Sequence, residues 1–300
     1  MSQPTLFLKL DLDTDVGTRE GVPNLLRCLS KHQARATFFV SLGPDNTGKA
    51  ALRVFTRPGF LSKMLRTNAP GMYGMRTLLS GTLLPAPIIG KTCLAELRQI
   101  PKEGHEVGLH AWDHVAWHDG LDRWSEAEAR AEYERGWNAF QGVFGFAPKA
   151  VAAPGWTATP ASLALHDEKG LLYASDGRGV SPFLPRMGEK DFRTLQIPTT
   201  LPTLDEILGR DGVTRENFAS RTLDLLRPDG LNVFGGHSEA EGRGYQAEFD
   251  AILAGAKARG YRIEALENVE QGIAPAPRHR LVREEIPGRA GLVAVQKEAL

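Results

Sequence analysis

The chain has 300 residues, enough for one large domain or two small ones with a substantial core. Lys+Arg and Asp+Glu number 36 each, so the net charge is zero and no basic field indicates a nucleic-acid partner. Residues 1–9 lack the pattern of a cleaved signal peptide, and no run of 18 apolar residues exists. We therefore expect a cytoplasmic protein without a membrane-spanning helix. Two cysteines without CxxC spacing fit a reducing compartment.

Strand and helix patterns alternate along the chain. Apolar runs mark eight candidate strands, at 6–11, 36–40, 106–109, 150–153, 172–175, 194–197, 231–234 and 261–265. Between them, a helix is predicted after Thr18, and a capping box at Ser125 and Glu128 predicts a helix to about Phe144. Two more helices are predicted, one from Thr159-Pro160 and one over residues 246–258.

This alternation favours either a parallel β/α barrel or a doubly wound sheet. Polar residues follow many different strand runs: Asp11, Asp13, His110, Asp176 and His237. A barrel gathers the carboxyl ends of all its strands at one mouth, whereas an open sheet concentrates its site at one crevice. We therefore predict a distorted barrel of about seven strands.

Four residues in two short motifs suit a metal site. His110 and His114 are four apart, about one helical turn, so both imidazoles can face one point. Asp11 and Asp13 are two apart on an extended segment and share a face. Two imidazoles and a carboxylate suit zinc or a similar divalent ion. The alternatives are two unrelated histidines and an ordinary Asp-rich turn, and Asp15 is a second choice to Asp13 as the carboxylate ligand.

Two segments interrupt the alternation and shape the domain prediction. We predict a single catalytic domain over residues 1–270, interrupted by an insertion at 44–91, and a C-terminal tail at 271–300. The insertion is too long for a simple connection and mixes apolar with basic residues, so it is either a membrane-binding segment or a lid.

Residues 105–114, HEVGLHAWDH, resemble the second motif of the NodB-like polysaccharide deacetylase family. The resemblance implies the NodB-like fold, with Asp11 as general base, His237 as general acid, and Asp13, His110 and His114 as metal ligands. Asp176 would either hold His237 in its protonated tautomer or be a turn residue. The family arginine that steadies the base is missing from residues 151–156, VAAPGW, so either another group orients Asp11 or its basicity is set differently. Ala111 is a second departure, and it also excludes the HExxH motif of zinc proteases.

Further motifs look like those of the 4-deoxy-4-formamido-L-arabinose-phosphoundecaprenol deformylases: TREGVP at 18–23, GPDN at 43–46, SDGRG at 175–179, IPTTLPT at 197–203 and HSEAEG at 237–242. This resemblance implies removal of formate from a lipid-linked amino sugar, which is later attached to lipid A and lowers sensitivity to polymyxin-type peptides. It also implies a divalent metal ion. Zinc is the first choice, and manganese, cobalt and nickel are the alternatives.

The resemblance extends to substrate and membrane contacts. Trp156 is a candidate wall of the formyl pocket, or a core residue, and Arg178 a candidate for the phosphate. A lipid-linked substrate implies peripheral contact with the inner membrane, for which the candidates are Phe60, Met64, Leu65 and Met72. Two alternatives are a related deacetylase of soluble small amides and a non-catalytic protein that binds sugar or lipid.

Overall fold

The computed structural model describes residues 3–51, 74–269, 276–289 and 291–299. The strands are β1 (Thr5–Leu12), β2 (Thr37–Ser41), β3 (Glu106–Ala111), β4 (Ala150–Val151), β5 (Tyr173–Ala174), β6 (Leu184–Met187), β7 (Lys190–Asp191), β8 (Leu195–Gln196), β9 (Asn232–His237), β10 (Arg262–Ala265), β11 (Arg278–Glu285) and β12 (Leu292–Ala299). The helices are α1 (Val22–Lys31), α2 (Thr47–Ala51), α3 (Met75–Leu79), α4 (Ile89–Thr92), α5 (Leu94–Lys102), α6 (His114–Gly120), α7 (Glu126–Phe144), α8 (Pro160–Lys169), α9 (Leu204–Ile207), α10 (Phe218–Leu223) and α11 (Gln246–Ala258). Short helical turns cover Gly17–Gly21, Pro154–Trp156, Ala240–Gly244 and Leu266–Asn268.

The central sheet is parallel and strongly curved. Its strands follow the order β9-β1-β2-β3-β4-β5-β8, and β10 pairs with the first half of β1. After β8, the N–H groups of Thr200 and Leu201 donate to the carbonyl of Val233 in β9, at 3.3 and 3.0 Å. The sheet thus curls back towards its first edge, which confirms the predicted distorted barrel.

The alternation of side chains along β1 places its polar residues inside the barrel. Its leucines at positions 6, 8, 10 and 12 pack in the main core with the surrounding helices. Phe7 packs in a second core with Phe39 and Tyr173 of neighbouring strands, on the inner side of the sheet. Because side chains alternate along a strand, Lys9 and Asp11 share the side of Phe7. The polar groups of β1 therefore face the interior of the barrel.

Most predicted helices are present. Ser125 and Glu128 form the capping box that begins α7, and the predicted helix over 246–258 is α11. The prediction that Thr18 caps the first helix is wrong. Its hydroxyl donates to the carbonyl of Thr14 (2.7 Å) inside a π-helical turn, and α1 begins only at Val22.

The C-terminal segment forms part of a second sheet, with the order β12-β11-β6-β7. β11 and β12 are an antiparallel hairpin, and β11 runs parallel to β6. Leu281 and Ala294 of this hairpin are buried with Phe183 and Leu163 of the preceding chain. Residues 278–299 are therefore packed against the region assigned to the catalytic domain.

Part of the predicted insertion is described, namely α2 and residues 74–91. The four candidate membrane contacts, Phe60, Met64, Leu65 and Met72, lie outside the described residues. Across the described ranges, no helix combines the length and apolar character needed to span a bilayer.

Candidate active site

Asp13, His110 and His114 meet at the carboxyl ends of β1 and β3. Asp13 Oδ1 lies 3.4 Å from His110 Nε2, and Asp13 Oδ2 lies 3.4 Å from His114 Nε2. The three side chains each offer a ligand atom, all within 4.8 Å of one another. The structure thus brings together the three residues that the sequence analysis predicts as metal ligands.

The two histidines converge by a route that differs from the predicted helical turn. His110 belongs to β3, and His114 is the first residue of α6. Between them Asp113 is the N-cap of α6, and its side chain accepts a hydrogen bond from the N–H of Ala116 at 2.9 Å. A sharp transition from strand to helix, fixed by this cap, therefore replaces the helical turn.

The donor set fits a divalent metal ion. His110 Nδ1 lies 2.7 Å from the carbonyl of Ala152, so Nδ1 carries a proton and Nε2, which faces Asp13, is the atom left to bind a metal. Asp13 Oδ1 is buried without a hydrogen-bond partner. Burial raises the pKa of Asp13, but His114 and His110 outweigh it and hold this pKa well below its usual range. An ionised carboxylate beside two imidazoles is a suitable site for zinc.

Asp11 is oriented by a residue that the sequence analysis missed. Lys9 Nζ donates to Asp11 Oδ2 at 2.6 Å, and both side chains are buried. The same carboxylate oxygen lies 4.0 Å from His110 Nε2. Lys9 therefore supplies a cation to Asp11, the predicted base, in the role expected of the family arginine that residues 151–156 lack. The available signal was a lysine inside a buried strand, two residues before Asp11.

His237 ends β9 beside several carboxylates. The backbone N–H of His237 donates to Glu241 Oε2 at 2.7 Å. Burial lowers the pKa of His237, but the charges of Asp13, Asp11, Asp205 and Glu241 outweigh it, so the pKa is raised. The imidazole is thereby biased towards its protonated form, which suits a general acid.

Glu239 organises the loop that carries Asp13. Its Oε1 accepts hydrogen bonds from the N–H of Thr14 (2.9 Å), the hydroxyl of Thr14 (2.6 Å) and the N–H of Asp13 (3.3 Å). A Cβ on Gly17 would come within 2.2 Å of the same oxygen. Burial raises the pKa of Glu239 to about 7. This buried carboxyl, in the motif HSEAEG, links the end of β9 to the Asp-x-Asp loop.

Asp176 has contacts other than the predicted one. Its Oδ2 accepts from Gln196 Nε2 at 3.0 Å and lies 3.3 Å from His166 Nδ1. The structure therefore pairs Asp176 with His166 and Gln196 rather than with His237. Asp205, in the first turn of α9, is one of the four acidic residues whose charges raise the pKa of His237.

Trp156 and Arg178 lie together at the mouth. The Trp156 indole N–H donates to Thr199 Oγ1 at 3.2 Å, and Lys9 Nζ lies 5.8 Å from the ring centroid. The Arg178 guanidinium is 5.0 Å from the same centroid and lies 3.4 Å from Glu206 Oε2. Trp156 is thus adjacent to the Lys9–Asp11 pair, as the hypothesis of a pocket wall requires.

The remaining candidates lie around this centre. Asp15 is bound by Arg19 at 3.1 Å and by Thr92 and Cys93, so it does not compete with Asp13. His105, which precedes the metal-site motif, accepts a hydrogen bond from the N–H of Ala36 at 3.3 Å. The His118 ring stacks near His114, with centroids 6.5 Å apart.

A second cluster among the described residues, Cys28, His32 and Asp250, also offers three ligand atoms within 4.8 Å. Its spacing is that of hydrogen bonds, with His32 Nε2 only 2.8 Å from Asp250 Oδ1. Lys31 Nζ also binds both oxygens of Asp250, at 2.7 and 2.8 Å. Because a lysine already neutralises this carboxylate, we assign the metal site to Asp13, His110 and His114.

Comparison with known proteins gives one consistent family. Residues 10–174 match the sequence model described as polysaccharide deacetylase. Two proteins named as probable 4-deoxy-4-formamido-L-arabinose-phosphoundecaprenol deformylase ArnD are similar over most of the chain. The one from Shewanella sediminis (strain HAW-EB3) is 38% identical and covers 96% of this chain and 93% of its own. The one from Wigglesworthia glossinidia brevipalpis is 35% identical, covering 95% and 100%.

Solved structures show the same fold. A Mycobacterium smegmatis protein assigned as a polysaccharide deacetylase superposes with a TM-score of 0.60 at 18% identity, covering 95% of this chain and 96% of its own. A family 4 acetyl xylan esterase from Clostridium thermocellum, in complex with a cobalt ion, gives a TM-score of 0.51 at 18% identity, covering 88% of each chain.

Proposed function

Because the chain belongs to the polysaccharide deacetylase family and, within it, to the ArnD deformylases, we propose that it hydrolyses the formamide of undecaprenyl-phosphate-linked 4-deoxy-4-formamido-L-arabinose. The product would be the free amino sugar, which serves lipid A modification and resistance to polymyxin-type cationic peptides. The observation that carries this proposal is the complete set of acid, base and ligand residues at one mouth, in a chain similar to these deformylases over almost its whole length.

Asp13, His110 and His114 would hold a divalent ion, and we propose zinc. Their 3.4 Å separations and the unpartnered Asp13 Oδ1 support this assignment. When bound, such an ion supplies Lewis-acid activation of water and of the formyl oxygen. The donor set also suits manganese, cobalt or nickel.

The chain's own residues supply the proton transfers. Asp11, oriented by Lys9, accepts a proton from the attacking water, whose oxygen bonds to the formyl carbon. His237, biased towards its protonated form, donates a proton to the amine nitrogen as the C–N bond breaks. Formate and the free amine are then the products. Trp156, beside Lys9, would limit the pocket to a small acyl group.

We also propose that the insertion contacts the inner membrane. The described part of it exposes large apolar side chains, with Met75 64%, Leu83 81% and Leu84 39% accessible. This segment follows β2 and therefore leaves the barrel at the mouth, where a lipid-linked sugar must enter. Exposed apolar groups of this kind suit insertion into the interface of a bilayer.

The membrane proposal is tested by vesicle binding. We expect Leu83→Glu to weaken binding to vesicles of anionic phospholipid, while deformylation of a water-soluble formamido sugar is unchanged. Leu172→Glu is the control, because Leu172 is 58% exposed but precedes β5, at the opposite end of the strands. Equal binding by Leu83→Glu and the wild type would refute the membrane contact at this residue.

The catalytic proposal is tested by measuring formate and acetate release from matched substrates. We expect formate from the lipid-linked formamido sugar and little acetate from its N-acetyl analogue. A higher kcat/KM for water-soluble amides would support the alternative of a soluble small-amide deacetylase. No turnover of any substrate by the metal-loaded protein would support the non-catalytic alternative.

A further inference from the structure

The C-terminal hairpin is joined by main-chain hydrogen bonds to the loop that carries Arg178. The N–H of Arg178 donates to the carbonyl of Ala294, and the N–H of Gln296 donates to the carbonyl of Arg178, both at 2.8 Å. The Gln296 side chain also accepts from the N–H of Val180 at 2.7 Å. β12 therefore fixes the backbone of Arg178.

The turn between β11 and β12 brings a second arginine to the same place. The Arg289 guanidinium lies 4.6 Å from the Trp156 ring centroid and donates to Asp205 Oδ2 at 2.9 Å. The preceding Gly288 has a φ of 86°, and a Cβ there would lie 2.3 Å from the carbonyl oxygen of Glu206. Only glycine permits so close an approach, so the position of this turn against α9 is closely specified.

Two guanidinium groups thus lie against one indole at the mouth. The Arg178 and Arg289 side chains are 14% and 12% exposed. Glu206 and Asp205 each hold one of them in position. Arg178 Nη1 also donates to the carbonyl of Leu201 at 2.7 Å. The planar fork of a guanidinium matches the geometry of phosphate oxygens.

The two arginines lie within the reach of one sugar ring from the proposed reaction centre. Lys9 Nζ, Arg178 and Arg289 lie 5.8, 5.0 and 4.6 Å from the Trp156 ring centroid, and Lys9 Nζ is 2.6 Å from Asp11. In the substrate, one sugar ring separates the formamide at carbon 4 from the phosphate that carries the lipid. An anion on the far side of the sugar would therefore lie near the arginines when the formamide is near Asp11.

We propose that Arg178 and Arg289 form the subsite for the substrate's phosphate, so that the C-terminal hairpin is a working part of the active site. This inference rests on the proposed deformylase function for the identity of the anion. It assigns a substrate-binding role to residues beyond the stretch 10–174 that matches the family model.

The test compares two substrates in Arg289→Gln: the lipid-linked formamido sugar, and the methyl glycoside of the same sugar, which has no phosphate. Loss of a charge-assisted hydrogen bond predicts a KM about 10- to 100-fold higher for the lipid-linked substrate. We expect kcat/KM for the methyl glycoside to fall by a much smaller factor, because loss of the cation beside Asp205 acts on both substrates alike. Arg193→Gln is the control, because Arg193 is 83% exposed and lies beside Asp167, away from the mouth.

Other outcomes would overturn the subsite. An equal loss on both substrates, or no loss on either, would show that Arg289 does not recognise the phosphate. Arg289→Lys keeps the charge and should recover part of the affinity for the lipid-linked substrate. An Arg289→Lys protein as weak as Arg289→Gln would assign the loss to a disturbed hairpin and overturn the subsite. Equal binding of anionic vesicles by Arg289→Gln and wild type is expected, and a parallel loss there would assign the arginine to membrane lipid instead.

A binding measurement separates this inference from the proposed function. Undecaprenyl phosphate in detergent should bind wild-type protein more tightly than Arg289→Gln, by a factor similar to the change in KM, whether or not formate is released. If no formate is released but this difference is present, the proposed function fails and the phosphate subsite stands. Equal binding of undecaprenyl phosphate by both proteins would refute the subsite.

Discussion

Lys9 and Asp11 form a buried ion pair on the inner face of β1, next to the proposed metal ligands. A buried carboxylate is costly unless a partner satisfies it, and here the partner also fixes the direction of the carboxylate. In the proposed mechanism, one strand thus supplies both the base and the group that orients it. The family arginine is missing, and the cation comes from within the same strand.

Lys9→Met tests this assignment. We expect kcat for formate release to fall about 10- to 100-fold, because Asp11 loses a charged hydrogen bond. Metal content should be unchanged, since the ligands Asp13, His110 and His114 remain. Lys169→Met is the matched control, because Lys169 pairs with Glu134 at 2.7 Å outside the mouth. Unchanged kcat in Lys9→Met would contradict the role of Lys9.

Asp205→Asn tests the electrostatic environment of His237. Asp11, Asp13, Asp205 and Glu241 together raise the pKa of His237. A general acid works while protonated, so activity should fall as the pH rises through this pKa. Without the Asp205 charge the pKa is lower, and the alkaline limb of the pH profile of kcat should move to lower pH.

The control for this experiment is Asp224→Asn, since Asp224 is 62% exposed and pairs with Arg259 away from the mouth. Its pH profile should match that of the wild type. An alkaline limb that stays in place in Asp205→Asn, or moves to higher pH, would contradict the assignment of His237 as the acid influenced by Asp205.

The sequence predicted which residues meet at the proposed metal site, but it did not predict the partners of Asp176 and Asp11. Asp13, His110 and His114 come together as expected, because each follows a strand whose end lies at the mouth. The partner of Asp176 was not predictable, since His166 lies on α8 and meets it only through packing. Lys9 was missed because a lysine in an apolar run is usually assigned to an exposed strand face.

At the scale of elements, the turn Pro154–Trp156 holds Trp156 in an unusual conformation. Gly155 and Trp156 have φ values of 58° and 52°. A Cβ on Gly155 would lie 1.9 Å from His118 Cδ2. Both the backbone conformation and the contact require glycine, so this turn fixes the indole between α6 and the mouth.

Gly155→Ala should therefore lower the free energy of unfolding by about 1–3 kcal/mol, as measured by urea denaturation. Gly142→Ala is an informative control, because Gly142 lies on the exposed side of α7 with open space around it. Alanine there should raise the free energy of unfolding by about 0.5–1 kcal/mol. A Gly155→Ala protein as stable as the wild type would contradict the account of this turn.

Local sequence signals explain which elements were predictable. The capping boxes of α7 and α8 involve residues three apart, so they can be read directly from the sequence. The route from His110 to His114 was not predictable in the same way. The four-residue spacing fits a helix, but β3 continues to Ala111 and Asp113 begins a new helix.

At the scale of the whole molecule, the barrel was predictable because the strands β1 to β5, β8 and β9 are almost wholly buried and several of them are followed by polar residues. The place of the C-terminal hairpin was not, because its pairing with β6 and its contact with Arg178 are distant in sequence. The hairpin covers one side of the mouth and brings Arg289 to Trp156. The proposed active site therefore includes residues that range from β1 to the turn before β12.

The central claim is that a single metal site at Asp13, His110 and His114 drives deformylation. The most direct measurement is formate release from the lipid-linked formamido sugar as metal-free protein is titrated with Zn²⁺. We predict that activity appears in the wild type and saturates at one ion per chain, while Asp13→Ala and His114→Ala neither retain the ion nor release formate. Full activity in the metal-free wild type, or in either variant, would contradict the claim.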